Sequence, residues 1–229
     1  GLAILLFGTS LATYGFAFAF GVLAVIFSYL IAKIYKAVPT IMLILGGTIV
    51  SSVFSALLTL LKSIADVDSE LPAIVYWLMG SVASVSYKDF WAVLVILAGI
   101  VGLAFFSWQI NVISMGEKEA RTMGVNVVFS KRMIIACATL ATAGAVCISG
   151  IIGWVGLIIP HIGRMLIGND TRKLLPVSMS LGAVFMVTID TISRSVTTSE
   201  IPLGVLTALV GAPFFVFLLK KTKGGGWQM

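Results

Sequence analysis

Apolar and polar positions fall along this chain in long blocks, without the short period of a soluble amphipathic helix or strand. No Asp, Glu, Lys or Arg occurs in residues 1–32, 37–61, 71–87, 90–116, 133–163, 174–189 or 201–219. A helix needs about 20 apolar residues to cross the hydrocarbon core of a bilayer. The blocks therefore predict membrane spans at 11–32, 40–61, 90–112, 174–193 and 203–219. Gly8, Thr9 and Ser10 mark a loop before the first span, and Pro39 punctuates the start of the second.

Two blocks are ambiguous by length. Residues 71–87, "LPAIVYWLMGSVASVSY", are short and rich in Ser and Gly. They suit a short span, or a helix lying at the membrane surface or dipping into it; the second reading is adopted. Residues 133–163 suit one long tilted helix, or two shorter helices broken at "SGIIGWVG". Basic residues collect on the cytoplasmic side of membrane proteins, and this decides the matter. If 71–87 does not cross and 133–163 crosses twice, 12 of the 15 basic residues share one side. Only Lys62, Lys88 and Arg194 lie opposite. A single crossing of 133–163 moves Arg172, Lys173 and the C-terminal lysines across and largely abolishes the bias. The expected fold is all-α: a polytopic membrane helical bundle of seven transmembrane helices in one domain, 1–229. Its N-terminus is external and its basic side cytoplasmic.

Composition agrees. The chain is 59% hydrophobic and 10% charged, against about 25% charged in soluble domains, so its solvent is lipid. A net charge of +6 in a soluble protein suggests nucleic acid. Here it is explained by basic residues flanking spans, and no nucleic-acid partner is expected. Cys137 and Cys147 lie ten residues apart in one apolar run. On a helix that is about 15 Å of rise, beyond disulfide reach. The chain begins at Gly1 inside an apolar run, and is expected to continue a longer protein.

One short stretch breaks the pattern. "SMGEKEARTMGVNVVFSKR", residues 114–132, carries 6 charged residues between charge-free runs of 27 and 31. Ser114 and Glu117 have the spacing of a capping box, and Glu117 and Glu119 suit the positive end of a helix dipole. Glu117 and Arg121 are an i,i+4 pair, Gly124 is a helix stop, and Asn126 is placed to cap a second short turn up to Ser130. A short helix, a turn and a second short helix are predicted. The segment is either a polar loop that sets topology or a rigid docking element.

Four segments resemble the FecCD-type permeases, the membrane subunits of ABC importers for iron–siderophore complexes, haem and vitamin B12. They are "SMGEKEARTMGVNV" at 114–127, "IVYWLMGS" at 74–81, "GIIGWVGLIIPHIGRMLIGNDTRKLLP" at 150–176 and "EIPLGVLTALVGAPFF" at 200–215. The resemblance implies about ten spans in the family, of which seven beginning outside remain here after loss of the first three. It implies a homodimer around one central pathway, two ATP-binding cassette subunits, a periplasmic or lipid-anchored substrate-binding protein, and a bacterial or archaeal cytoplasmic membrane. It implies that 114–130 is the coupling segment that docks on the ATPase, with Gly116, Glu117, Ala120, Arg121 and Gly124 matching the family's motif. The loop with Arg164, Asp170 and Arg172 is implied as a second cytoplasmic contact. Arg194, with Lys62 and Lys88 as weaker candidates, is implied in docking the binding protein. Pro72, Trp77 and Gly80 are implied to belong to the short outer helix that gates the pathway. The implied cargo is a metal chelate, iron–siderophore first, with haem, cobalamin or molybdate in the same class.

Residues 48–59 carry a polar stripe at helical spacing, Thr48, Ser51, Ser52, Ser55 and Thr59. It suits helix–helix contact or pore lining, and the resemblance favours lining by Thr48, Ser51, Ser52 and Ser55. Asp190 and Arg194, at i,i+4 near the outer end of a span, suit a self-neutralising pair or a docking site. His161 is the single histidine and is read as structural or gating, since a zinc site needs several ligands. No metal site is expected. No phosphate-binding G-x-x-x-x-G-K-[ST] motif occurs, so ATP and Mg²⁺ are expected on the partner ATPase, and this chain is not expected to be an enzyme or to bind a cofactor. The rival reading is a secondary transporter or channel not driven by ATP, which would want ionisable groups near the midplane.

Overall fold

A computed structural model describes residues 1–8, 11–34, 40–83, 85–196 and 200–222. The described residues form eleven α-helices and one short 3₁₀ turn at Tyr87–Asp89. The helices are α1 (Leu2–Phe7), α2 (Leu11–Lys33), α3 (Thr40–Ile64), α4 (Glu70–Met79), α5 (Phe90–Phe105) and α6 (Ser107–Ser114). They continue as α7 (Glu117–Thr122), α8 (Val127–Ser149), α9 (Val155–Ile167), α10 (Thr171–Ser195) and α11 (Leu203–Thr222). No strand occurs among the described residues.

Among the described residues four helices are long and apolar enough to cross a bilayer: Ala12–Lys33, Ile41–Ile64, Val127–Ser149 and Thr171–Ser195. A fifth crossing forms if α5 and α6, bent by 54° at their junction, are counted together. The charge-free block 133–163 is two helices, α8 and α9, parted at residues 150–154. α9 has 13 residues, about 20 Å of rise against a core of about 30 Å. Among the described side chains α11 is also a shorter apolar helix, Leu203–Phe217. The segment 71–87 yields the ten-residue α4 and then irregular chain.

The chain divides into two compact units: residues 1–78, 85–100 and 135–150, and residues 79–84, 101–134 and 151–229. In the first, α2 and α3 pack side by side. Ser28 Oγ donates to the Leu43 carbonyl at 3.2 Å, and a Cβ on Gly46 would lie 2.7 Å from the Ser28 carbonyl oxygen. Small residues let helices in membranes approach this closely. α5 and α8 cross the same way: a Cβ on Gly99 would lie 2.6 Å from the Cys137 carbonyl oxygen and 2.7 Å from the Ala141 nitrogen. α4 is positioned by a turn in which Asp66 Oδ1 accepts from the Ser69 N–H and hydroxyl, while Glu70 Oε2 accepts from the Asp66 N–H. The Ser69 hydroxyl first, then the Ser69 and Asp68 N–H groups, hold the Asp66 carboxyl below its usual range. Ile4, Ala65 and Ile74 form the core beneath, with Leu58, Leu71 and Trp77 against it.

In the second unit three chain segments meet backbone to backbone. The Leu203 N–H donates to the Gly80 carbonyl at 3.0 Å. A Cβ on Gly204 would sit 2.5 Å from the Met79 carbonyl oxygen, and one on Gly80 would sit 2.8 Å from that of Ile151. Gly80 of "LMGS", Ile151 in the break and the start of α11 are thus one junction. Trp154 enters α9 at φ 68, an uncommon conformation for a bulky residue, with its ring against Phe215.

Candidate functional site

Segment 107–131 is a compact helix–turn–helix corner. α6 runs to Ser114, whose hydroxyl donates to the Asn111 carbonyl of its own last turn at 2.6 Å. Ser114 is therefore not the N-cap of α7, and the predicted capping box does not form. The N-cap is Gly116, at φ 135, a region that L side chains rarely adopt. The acidic side chains still stand in the first turn, Glu117 and Glu119.

α7 is closed by a Schellman turn. Gly124 takes φ 79, its N–H donates to the Arg121 carbonyl and the Val125 N–H donates to the Ala120 carbonyl, both at 3.0 Å. This is the αL glycine stop with its accompanying apolar contact, since Ala120 and Val125 are both buried in a cluster with Val112 and Val127. Ala120, fully buried, is the residue that lets α7 lie flat on this cluster. The next helix follows at once. Asn126 Oδ1 accepts from the Phe129 N–H at 3.1 Å, the N3 position of a capped helix. The predicted second short turn, 126–130, is in fact the first turn of the span helix α8, which runs to Ser149.

The charge pairing also differs from expectation. Glu117 is paired with Lys131 of α8, not with Arg121. The local i,i+4 rule gives way to a contact 14 residues away because the turn at 123–126 folds α8 back onto α7. Arg121 is exposed and has no ion-pair partner among the described residues.

Asn111 ties this corner to the next loop. Its Nδ2 donates to Asp170 Oδ1 at 2.6 Å, and its Oδ1 accepts from the Thr171 N–H at 2.8 Å. Asp170 is the N-cap of α10, accepting from the Arg172 N–H at 3.0 Å. The Asn111 bond first, then the Arg172 N–H, hold the Asp170 carboxyl below its usual range. Arg164, in the last turn of α9, and Arg172, in the first turn of α10, are both exposed. Asn111 and Lys131 escaped the sequence reading; the former's only signal was a polar residue at the end of an apolar run.

The remaining candidates lie elsewhere. Arg194 lies against the Asp190 carboxylate at 3.0–3.1 Å and is 3.9 Å from Glu200 Oε1. Lys62 stands in the last turn of α3, and the side chain of Lys88 lies outside the described residues. Thr48, Ser51, Ser52 and Ser55 form one exposed stripe of α3. The Thr48 and Ser52 hydroxyls bond back to carbonyls of their own helix. Pro72 is exposed on α4, Trp77 packs in the core under it, and Gly80 is buried at the glycine junction.

These features define a multi-pass helical membrane protein with a short helix, closed by a glycine stop, set between two of its apolar helices. The comparisons with known proteins specify it further. The FecCD transport family model matches residues 1–221, and the chain belongs to that family. It is 42% identical over 231 residues to the molybdate import system permease protein MolB of Haemophilus influenzae, covering 99% of this chain and 68% of that protein. It is 40% identical over 205 residues to the cobalamin import system permease protein BtuC of Halobacterium salinarum, covering 89% of this chain and 55% of that one. A solved chain, described as an inward-facing conformation of a metal-chelate type ABC transporter, superposes with a TM-score of 0.84 at 41% identity. That match covers 96% of this chain and 70% of the other. The chain thus spans between about half and 70% of the length of its relatives.

Proposed function

We propose that this chain is the permease subunit of an ABC importer that moves a metal chelate across the cytoplasmic membrane of a bacterium or archaeon. Two copies enclose one pathway, and an ATP-binding cassette subunit docks on segment 114–130 of each. A periplasmic or lipid-anchored binding protein delivers the cargo, and membrane lipid surrounds the bundle. The cargo to test first is an iron–siderophore complex, with haem, cobalamin and molybdate in the same class. ATP and Mg²⁺ belong to the ATPase; this chain supplies the path and the coupling.

The observation that carries the reading is the corner itself. α7 has a glycine stop, a buried underside at Ala120 and exposed cations at Lys118 and Arg121. A helix so anchored transmits displacement, whereas a loose loop absorbs it. ATP binding and hydrolysis on the partner then shift the bundle between two states. In this scheme Gly116, Glu117, Ala120 and Gly124 shape α7, Arg121 touches the ATPase, and Arg164, Asp170 and Arg172 form the second contact. Thr48, Ser51, Ser52 and Ser55 line the path, Pro72, Trp77 and Gly80 belong to its outer gate, and Arg194, Lys62 and Lys88 face the binding protein.

The test is co-purification of the full natural chain with its cognate ATPase, comparing wild type with Arg121→Glu. Arg121 has no partner within the corner, so its reversal leaves the fold intact. Wild type is expected to retain the ATPase and stimulate its hydrolysis, and the variant to do neither. Equal retention by both sinks the docking role.

A further inference from the structure

We propose that Asn111 is a positioning residue that joins the α7 corner and the loop before α10 into one mechanical body; this rests on the reading of α7 as the ATPase dock. The joint has unusual economy. Asn111 uses both ends of its amide in opposite senses, donating to Asp170 Oδ1 and accepting from the Thr171 N–H. The first N–H groups of a helix have no partner within it. Asp170 serves that of Arg172, and Asn111, from 60 positions away, serves that of Thr171. The start of α10 is thus capped half by its own N-cap residue and half from α6.

The same turn of α6 holds α7. Val112, next in sequence, buries its side chain against Ala120, Val125 and Val127. The Asn111 carbonyl accepts from the Ser114 hydroxyl as the chain leaves for α7. One residue therefore grips α10 while its neighbour grips α7, with no intervening flexible bond beyond the backbone of one peptide. A push received at α7 reaches α10 through Asn111 as well as α8 through the Asn126 cap. The side-chain requirement is strict. Leu supplies neither bond. Asp supplies an acceptor for Thr171 but sets a second carboxylate against Asp170.

The exchange Asn111→Asp with Asp170→Ser is the informative one. The carboxylate then on α6 still accepts from the Thr171 N–H. One oxygen of Asp170 accepts from both Asn111 and the Arg172 N–H, and a serine hydroxyl at the cap donates to that carboxylate while its oxygen still accepts from the Arg172 N–H. The bond between the two side chains survives with its donor and acceptor reversed and the bonds from the Thr171 and Arg172 N–H groups keep their sense, so the pair restores what Asn111→Asp alone breaks.

The experiment uses the full natural chain in lipid nanodiscs, spin-labelled through Lys118→Cys on α7 and Asn169→Cys before α10. Neither position takes part in the joint, and both native thiols are buried. Wild-type background is expected to give one narrow distance distribution, Asn111→Leu a broadened one, and the exchanged pair a narrow one again. A narrow distribution with Asn111→Leu, or no recovery in the exchanged pair, overturns the inference. Stimulation of the cognate ATPase is measured in parallel on unlabelled chains that keep Lys118 and Asn169. Asn111→Leu is expected to keep the ATPase bound yet lower its stimulation about five-fold or more, the scale of a coupling interaction, with recovery in the exchanged pair. Broadened distances with full stimulation also overturn it. If wild type itself binds no ATPase, the docking reading fails, while the distances still decide whether the two loops move as one.

Discussion

The crossing of α5 and α8 at Gly99 gives the sharpest test of the packing. Replacing Gly99 by Ala puts a methyl 2.6 Å from the Cys137 carbonyl oxygen, 2.7 Å from the Ala141 nitrogen and 3.0 Å from its Cβ. Carbon–oxygen contacts ordinarily begin at about 3.3 Å, so the helices must part by roughly 0.7 Å. Two of the three obstacles are backbone atoms, and no rotamer change relieves them. Overpacking of this kind costs about 1–3 kcal/mol, which raises the population of locally open molecules about 5- to 150-fold. Cys137 and Cys147 are free and buried on α8, so they report opening directly. The assay is the rate of their reaction with a thiol-specific dye, for the full natural chain in detergent, under conditions where reaction follows opening. Adding Ala141→Gly removes only the 3.0 Å contact and should leave most of the effect. An unchanged thiol rate in Gly99→Ala, or its full restoration by Ala141→Gly, would refute the reasoning.

Other predictions follow from single features. Gly124→Ala meets no atom within 4 Å, so its cost is that of the left-handed backbone alone, about 1–2 kcal/mol. Exchange of the Val125 amide should quicken about 5- to 30-fold, and less with Asn, which tolerates that conformation; equal rates for all three residues would contradict it. Gly204→Ala instead meets the Met79 carbonyl at 2.5 Å and should lower the melting temperature in detergent, an unchanged transition counting against the junction. Asp190→Asn leaves Arg194 with Glu200 at 3.9 Å as its ionic partner; if Arg194 docks the binding protein, that affinity should rise, and no change removes the role. The Asp170 carboxyl lies below its usual value of 3.8 when folded. Its contribution is therefore present above that value and lost only as pH falls through the lower folded one. Protection of the Thr171 and Arg172 amides should persist through pH 4, and its loss at higher pH would show the carboxylate is not held by Asn111.

The helices were legible in the sequence wherever charge interrupts an apolar run. Lys33, Lys62 and Lys173 stand at or near the ends of α2, α3 and α10. The break at 150–154 was legible from its glycines together with the sidedness of Arg164, Arg172 and Lys173. The bend at Phe106 was not, because neither glycine nor proline marks it and the run 90–116 reads as one helix. In the corner, Gly124 announced itself, since a glycine stop is a local device. The Ser114–Glu117 spacing misled, because α6 persists to Ser114 and leaves Gly116 to open α7. Lys131 and Asn111 act across 14 and 59 positions, where local spacing rules have no reach. The roles of Gly80 and Gly204 likewise depend on carbonyls supplied by distant segments.

Only Gly124, Val125 and Asn126 lie beyond the Met123 cap of α7 and before the first residue of α8, and each is committed to a hydrogen bond. The consequence is one of timescale. Surface loops and termini move in nanoseconds to microseconds, whereas packed helices shift collectively in microseconds to milliseconds. Without slack at its exit, α7 has no fast motion of its own through which a received displacement can dissipate. Its relaxation is tied to that of the helix it opens into, so any signal entering at this corner runs on the slow clock of the bundle.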